Sequence, residues 1–128
     1  MKKNLVIILA IIGMTGLLSA GGFFLVKIKG EKKSVNDWLG KTILYYGETC
    51  PHCLIVNKYL EENKVKEKFN FEHLEVYKNS ENAKLLTESA KQCGIKTNEI
   101  GVPLLWSEGK CLVGDKDIID FFKKKIEK

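Results

Sequence analysis

The chain has 128 residues, enough for one domain and an appendage. Its formal charge of +5 comes from 21 basic residues, all lysine, against 16 acidic ones. The excess sits around an apolar N-terminal run, since Ser34 to Lys128 carries 15 Lys and 15 Asp+Glu. A neutral body without arginine has no agent for bidentate phosphate or base recognition, which argues against nucleic acid as a partner.

Asn4 to Val26 is a run of 23 residues with no charge, rich in Leu, Ile, Val, Ala and Gly. At about 1.5 Å per residue a helix of this length covers the roughly 30 Å hydrocarbon core of a bilayer. The alternative is a cleaved signal peptide, for which Ser19-Ala20-Gly21 offers a weak small-x-small site. The run continues through Phe23-Phe24-Leu25-Val26, beyond the usual length of a signal-peptide core, so a retained anchor is favoured. Residues 1–26 are therefore read as a transmembrane anchor, contacting the lipid bilayer through residues 4–26. Residues 27–37 are read as a basic juxtamembrane linker and 38–128 as the folded domain. Lys2, Lys3 and the α-amino group on one side nearly balance Lys27, Lys29, Lys32 and Lys33 with Glu31 on the other, so charge placement leaves the orientation open. Trp38 suits either the membrane interface or the domain core. The core is favoured, because an apolar strand follows at once.

That first strand is Thr42 to Tyr46, a β-rich run stopped by Gly47. A helix is expected from Cys50 to about Asn63, with Leu54, Val56 and Leu60 among its core contacts. Lys64 to Asn70 reads as charged and turn-like, and Phe71 to Tyr77 as a second strand. Ser80 is the N-cap candidate of the next helix. Its apolar stripe is Ala83, Leu86, Ala90 and Cys93, at spacings of 3, 4 and 3. Gly94 supplies the stop. A loop over 95–101 leads to Val102-Pro103. Leu104 to Trp106 is a third strand, Glu108-Gly109 a turn and Lys110 to Val113 a fourth strand. Gly114-Asp115 opens the last helix, with Asp115 as expected N-cap and Ile118, Phe121, Phe122 and Ile126 as its buried face. The order is β-α-β-α-β-β-α. A helical crossover makes the first two strands parallel, and the short turn makes the last two antiparallel.

Cys50-Pro51-His52-Cys53 carries the chemistry. Two thiols one helical turn apart can reach each other, and the first lies where unpaired N–H groups and the helix dipole favour a thiolate. Pro51 suits the first helical position, where its missing N–H costs nothing. His52 can add positive charge or a hydrogen bond that stabilises the thiolate. Cys50 is thus the expected nucleophile and Cys53 the resolving thiol that attacks Cys50 in the mixed disulfide. The plain alternatives are a structural disulfide or half of a zinc site. A zinc site wants a second close-set Cys/His pair, and Cys93 and Cys111, with 17 residues between them, provide none. His73, among Phe71, Glu72 and Leu74, is expected to be structural. Cys93 and Cys111 lie on apolar elements. They read either as buried free cysteines or, outside the cytoplasm, as a structural disulfide.

With these residues in place the chain resembles the thioredoxin superfamily, and more narrowly a small glutaredoxin-like domain, over about residues 40–126. Three features carry the resemblance: the Cys50-x-x-Cys53 pair after a first strand, Val102-Pro103 about 50 residues later, and the closing Gly114-Asp115 helix. The implied fold is α/β: a thioredoxin/glutaredoxin-like four-stranded mixed sheet with helices on both faces, here preceded by one transmembrane helix. The resemblance implies a cis-proline at Pro103 beside the cysteines. It also implies substrate contacts from Val102, Pro103, Gly114 and Asp115, with the Val102 backbone exposed to pair with an extended chain. The tetrapeptide itself is similar to that of periplasmic Dsb-type disulfide oxidases. Two positions depart from the family. Gly47 stands where many glutaredoxins carry a lysine that helps hold glutathione. Leu44 stands where thioredoxins carry a buried acid.

The expectation is a membrane-tethered thiol-disulfide oxidoreductase acting on protein thiols and disulfides, with its redox domain outside the cytoplasmic membrane. It needs no organic cofactor and no metal, because the chemistry is sulfur exchange. A membrane protein is a candidate redox partner. A disulfide reductase linked to glutathione or to a membrane partner, and a non-enzymatic metal-binding or thiol-carrier module, are the alternatives.

Overall fold

The computed structural model describes Trp38 and residues 40–128. The expected anchor over 1–26 and linker over 27–37 lie outside the described residues. Among the described residues no helix is long and apolar enough to cross a membrane.

The elements run β1 (Thr42–Tyr46), α1 (Pro51–Glu62), α2 (Val65–Lys68), β2 (Glu72–Glu75), α3 (Ser80–Gln92), β3 (Leu104–Ser107), β4 (Lys110–Val113) and α4 (Asp115–Ile126). The sheet order is β2-β1-β3-β4, with β1 parallel to β2 and the other two pairings antiparallel. This is a mixed four-stranded sheet consistent with a thioredoxin-like α/β fold.

The central strands explain the layering. Side chains alternate across a strand, so β1 sends Ile43 and Tyr45 to one face and Leu44 to the other, all buried. Strands covered on both faces read as continuous apolar runs, as Thr42–Tyr46 and Leu104–Trp106 do. On one face Ile43, Tyr45, Leu104 and Trp106 pack with Leu86 and Ala90 of α3. Trp38 joins this core and is almost wholly buried. On the other face Leu44 and Leu105 pack with Val56 and Leu60 of α1, Val65 of α2, and Ile118 and Phe122 of α4. Each such aliphatic or aromatic side chain contributes roughly 1.5–3 kcal/mol on burial. Two polar pairs are buried as well, one of them Thr42 Oγ1 with Ser107 Oγ at 2.9 Å. The Tyr45 hydroxyl and Ser89 Oγ lie 2.8 Å apart, and burial pushes the phenol's pKa up to about 12, so it stays a neutral hydrogen-bonding group.

Several local expectations are corrected. Leu54, expected among the core contacts of α1, faces solvent, and Cys53 takes its place beside Val56 and Leu60. Lys64–Asn70 is not merely a turn. It contains α2, because Val65 in that charged stretch has a core site and is fully buried. The second strand is shorter than Phe71–Tyr77. Its end is set by Glu75, whose carboxylate accepts the N–H groups of Tyr77 and Lys78 at 2.8 Å each and turns the chain. The cap of α3 is Asn79 rather than Ser80, since Asn79 Oδ1 accepts from the N–H of Glu81 and of Asn82. Gly114, not Asp115, is the N-cap of α4. The loop over 95–101 contains a 3-10 turn at Thr97–Glu99.

Register decides what meets at one end of the sheet. Tyr46 pairs with Glu75, Tyr45 with Leu104, and Leu104 with Val113. The segments after β1, β2 and β4 and the one before β3 therefore converge at a single edge. Farther back, Cys93 at the end of α3 is bridged to Cys111 on β4 (S–S 2.01 Å). The bridge fastens edge strand β4 to a helix across an 18-residue separation, a closure that contributes on the order of 3 kcal/mol.

Candidate redox-active site

Pro51 occupies the first turn of α1, and Cys50 is the residue before it. Cys50 has extended backbone angles (φ −78°, ψ 119°) and is the N-cap. Its Sγ accepts the N–H of Cys53 at 3.3 Å. A sulfur thus fills the place that Ser, Asp or Asn oxygens fill at most helix starts. Negative charge on that sulfur would be stabilised by the N–H and by the positive end of the helix dipole. The backbone N–H of Cys50 is itself tied to Gly47 O at 3.1 Å, which fixes the turn between β1 and α1.

Cys53 is the deeper of the pair. It is fully buried, whereas Cys50 retains 7% exposure. The N–H of Gly47 donates to Cys53 Sγ at 3.4 Å. Burial, then the hydrogen bond with Cys50 and its charge, push the Cys53 thiol up to about 12. Cys53 therefore holds its proton at neutral pH, and Cys50 is the less deeply buried of the two. Both are free thiols in this structure.

The other side of the site comes from the converging segments. The Val102–Pro103 peptide is cis. Val102 O accepts from the Cys50 thiol at 3.5 Å, and Pro103 O accepts the N–H of Gly114 at 3.1 Å. The N–H of Val102 has no partner among the described residues. Gly114 has φ +94°, in the region that favours glycine, and this lets the chain leave β4 and enter α4 beside Pro103. Asp115 follows, and its Oδ1 lies 3.5 Å from Nδ1 of His52. Cys50, Val102, Pro103, Gly114, Asp115 and His52 thus form one chain of contacts that returns to the tetrapeptide. His52 is 68% exposed on its side chain and lies against Asp115, with no hydrogen bond to either sulfur.

Two contributors were not legible in the sequence. Tyr77, just beyond β2, lays its ring over Gly47; a Cβ on that glycine would come within 2.3 Å of it. Lys78 forms an ion pair with Glu48, the loop residue two before Cys50.

Cys93 and Cys111, being bridged, lie elsewhere on α3 and β4 and supply no thiolate ligand. Among the described residues there is no group of three or more His, Cys, Asp or Glu side chains placed to hold a metal ion.

No family model matches the chain, and no curated protein matches it. Among solved structures, it is similar to oxidized glutaredoxin 2 from Chlamydomonas reinhardtii. The identity is 19%, the alignment covers 73% of this chain and 83% of that one, and the TM-score is 0.49.

His73 stands apart from the cysteines, in a cleft that Tyr46 and Asn57 also line, with its ring 4.1 Å from that of Tyr46. Burial, with the charge of Lys66 added, holds its pKa down to about 4. Unfolded chains would take up this proton near pH 6.5. Between about pH 6.5 and 4 the unfolded state therefore binds more protons, and stability falls as pH is lowered through that window. Urea unfolding at pH 7, 5.5 and 4.5 is expected to show this loss in the native protein and a flatter dependence in His73→Gln. Parallel profiles for the two proteins would remove His73 as the cause.

Proposed function

We propose that this protein is a thiol-disulfide oxidoreductase that exchanges disulfides with protein substrates through Cys50 and Cys53. The observation that carries the reading is the asymmetry of the pair. One sulfur caps a helix on a residue that keeps a slight exposure of 7%, and the other lies on a fully buried residue with its proton held.

In the reducing direction the Cys50 thiolate attacks one sulfur of a substrate disulfide. The substrate S–S bond breaks, a mixed disulfide forms and one substrate thiolate leaves. Cys53 then gives up its proton to solvent and attacks Cys50 Sγ. The mixed disulfide breaks and the second substrate thiolate leaves. The substrate gains two electrons, and the Cys50–Cys53 pair becomes a disulfide. The oxidising direction is the reverse, opened by a substrate thiolate. His52 with Asp115 tunes the charge near the pair. The unpaired N–H of Val102 offers a backbone donor to a bound extended segment, next to the sulfur that reacts.

A polypeptide substrate fits the surroundings. The large hydrophobic side chains that are well exposed among the described residues are Leu54, Ile55, Tyr77 and Val113. Leu54 and Ile55 follow Cys53 directly, Tyr77 covers Gly47, and Val113 precedes Gly114. Apolar area beside the nucleophile favours a chain with apolar residues flanking its cysteine over a small hydrophilic thiol.

The tether and compartment belong to the same proposal. The uncharged run of residues 4–26 anchors the protein in the cytoplasmic membrane, and the redox domain faces away from the cytoplasm. The Cys93–Cys111 bridge supports that side, because such bonds persist in oxidising compartments.

Cys50→Ser is expected to abolish exchange with a disulfide-containing peptide, by at least about a hundredfold. Cys53→Ser is expected to accumulate a mixed disulfide at Cys50 that dithiothreitol releases. Exchange that survives Cys50→Ser would end this reading. For the compartment, a membrane-impermeant maleimide applied to intact, mildly reduced cells is expected to label Cys50. Labelling only after lysis would place the domain on the cytoplasmic side.

A further inference from the structure

Tyr77 is 58% exposed, yet its place is closely defined. A Cβ built on Gly47 would lie 2.3 Å from two of its ring atoms and 2.7 Å from a third, so the ring occupies the space of a side chain at 47. Gly47 is the turn residue that ties both cysteines: its N–H reaches Cys53 Sγ and its carbonyl takes the backbone N–H of Cys50. The segment that carries Tyr77 is fastened on both sides. Glu75 accepts the N–H groups of Tyr77 and Lys78, Asn82 Nδ2 donates to Glu75 O at 2.8 Å, and Lys78 pairs with Glu48. An aromatic ring held over a catalytic turn, with most of its surface in water, is not accounted for by core packing.

With Cys50 protonated, its short contacts are Val102 O and the Cys53 N–H. The phenol makes no hydrogen bond to either sulfur there, yet Cζ, the carbon that bears its hydroxyl, is among the ring atoms over Gly47. Its pKa is raised, first by desolvation, then by the charges of Cys50 and Cys53. Ionisation of Cys50 removes the proton it shares with Val102 O and makes the sulfur a pure acceptor.

We infer that the Tyr77 hydroxyl then donates a hydrogen bond to Cys50 Sγ and is the second donor, with the Cys53 N–H, that stabilises the thiolate. The phenol keeps its proton throughout. It sets how much thiolate is present and takes no part in electron transfer. The inference rests on the reading of Cys50 as the nucleophile. The other titratable groups around the site are Cys53, His52 with Asp115, Glu48 with Lys78, and Glu75, whose charge also reaches the phenol. Tyr77→Phe leaves all of them in place and keeps the ring over Gly47.

The test is the pH profile of Cys50 alkylation by iodoacetamide in the reduced full-length protein, with peptide mapping by mass spectrometry. Hydrogen bonds to charged groups are the stronger kind, and below the titration midpoint the rate follows the thiolate fraction. Tyr77→Phe is expected to move the midpoint upward and to slow alkylation at pH 6 by about three- to tenfold, half to one pH unit. Gly47→Ala, which displaces the ring, is expected to act in the same direction. Superimposed profiles for the native protein and Tyr77→Phe would overturn the role of Tyr77 while leaving Cys50 as nucleophile. Alkylation that maps to Cys53 in preference to Cys50 would overturn both readings.

Discussion

An α-helix begins with N–H groups that its own backbone cannot satisfy, and here a sulfur takes one of them. Cys50 Sγ accepts the N–H of Cys53, so the atom that reacts is also the atom that caps α1. The arrangement needs Cys50 extended, Pro51 in the first turn, and the chain leaving β1 at a fixed angle. Gly47 supplies that angle and binds both cysteines through its own backbone. The sheet and its two apolar layers hold this turn, since Leu44 and Tyr45 just before it are fully buried on opposite faces.

The same geometry separates the two sulfurs. One turn of helix carries Cys53 from the rim into the interior, where loss of water keeps it protonated. A dithiol with one sulfur at the helix start and one sulfur behind it has a built-in order of attack. The remaining contacts close the site from the opposite side: Val102 O against Cys50, Pro103 O on Gly114, and Asp115 back to His52. They come from two strand ends, the segment before β3 and the one after β4, and meet the turn that follows β1. A change in sheet register would therefore disperse the site even with every residue retained.

Much of this was legible in the chain. The continuous apolar runs of β1 and β3, the Cys-x-x-Cys pair at a helix start, and the stripe of α3 each carry a local signal. So does Gly114, whose positive φ lets α4 begin beside Pro103. What was not legible depends on contacts made across the fold. Val65 turns a charged stretch into a short helix only because a core site is waiting for it. Asn79 displaces Ser80 as a cap because its longer side chain reaches two N–H groups at once. Tyr77 looked like the end of a strand. Its place over Gly47 depends on the turn that Glu75 makes, and nothing near it in sequence announces that. The pairing of Cys93 with Cys111 needed the Cα–Cα separation of 6.0 Å that only the packed fold provides.

The central claim is that four cysteines divide into one reacting pair and one fixed bridge. The direct measurement is equilibration of the full-length protein across a series of glutathione redox buffers, with thiols blocked by acid quench and alkylation and counted by mass spectrometry. The account predicts that Cys50 and Cys53 pass together between dithiol and disulfide while Cys93 and Cys111 stay bridged throughout. A Cys50–Cys53 pair that forms no disulfide under oxidising buffer, or four cysteines that reduce together in one transition, would contradict it.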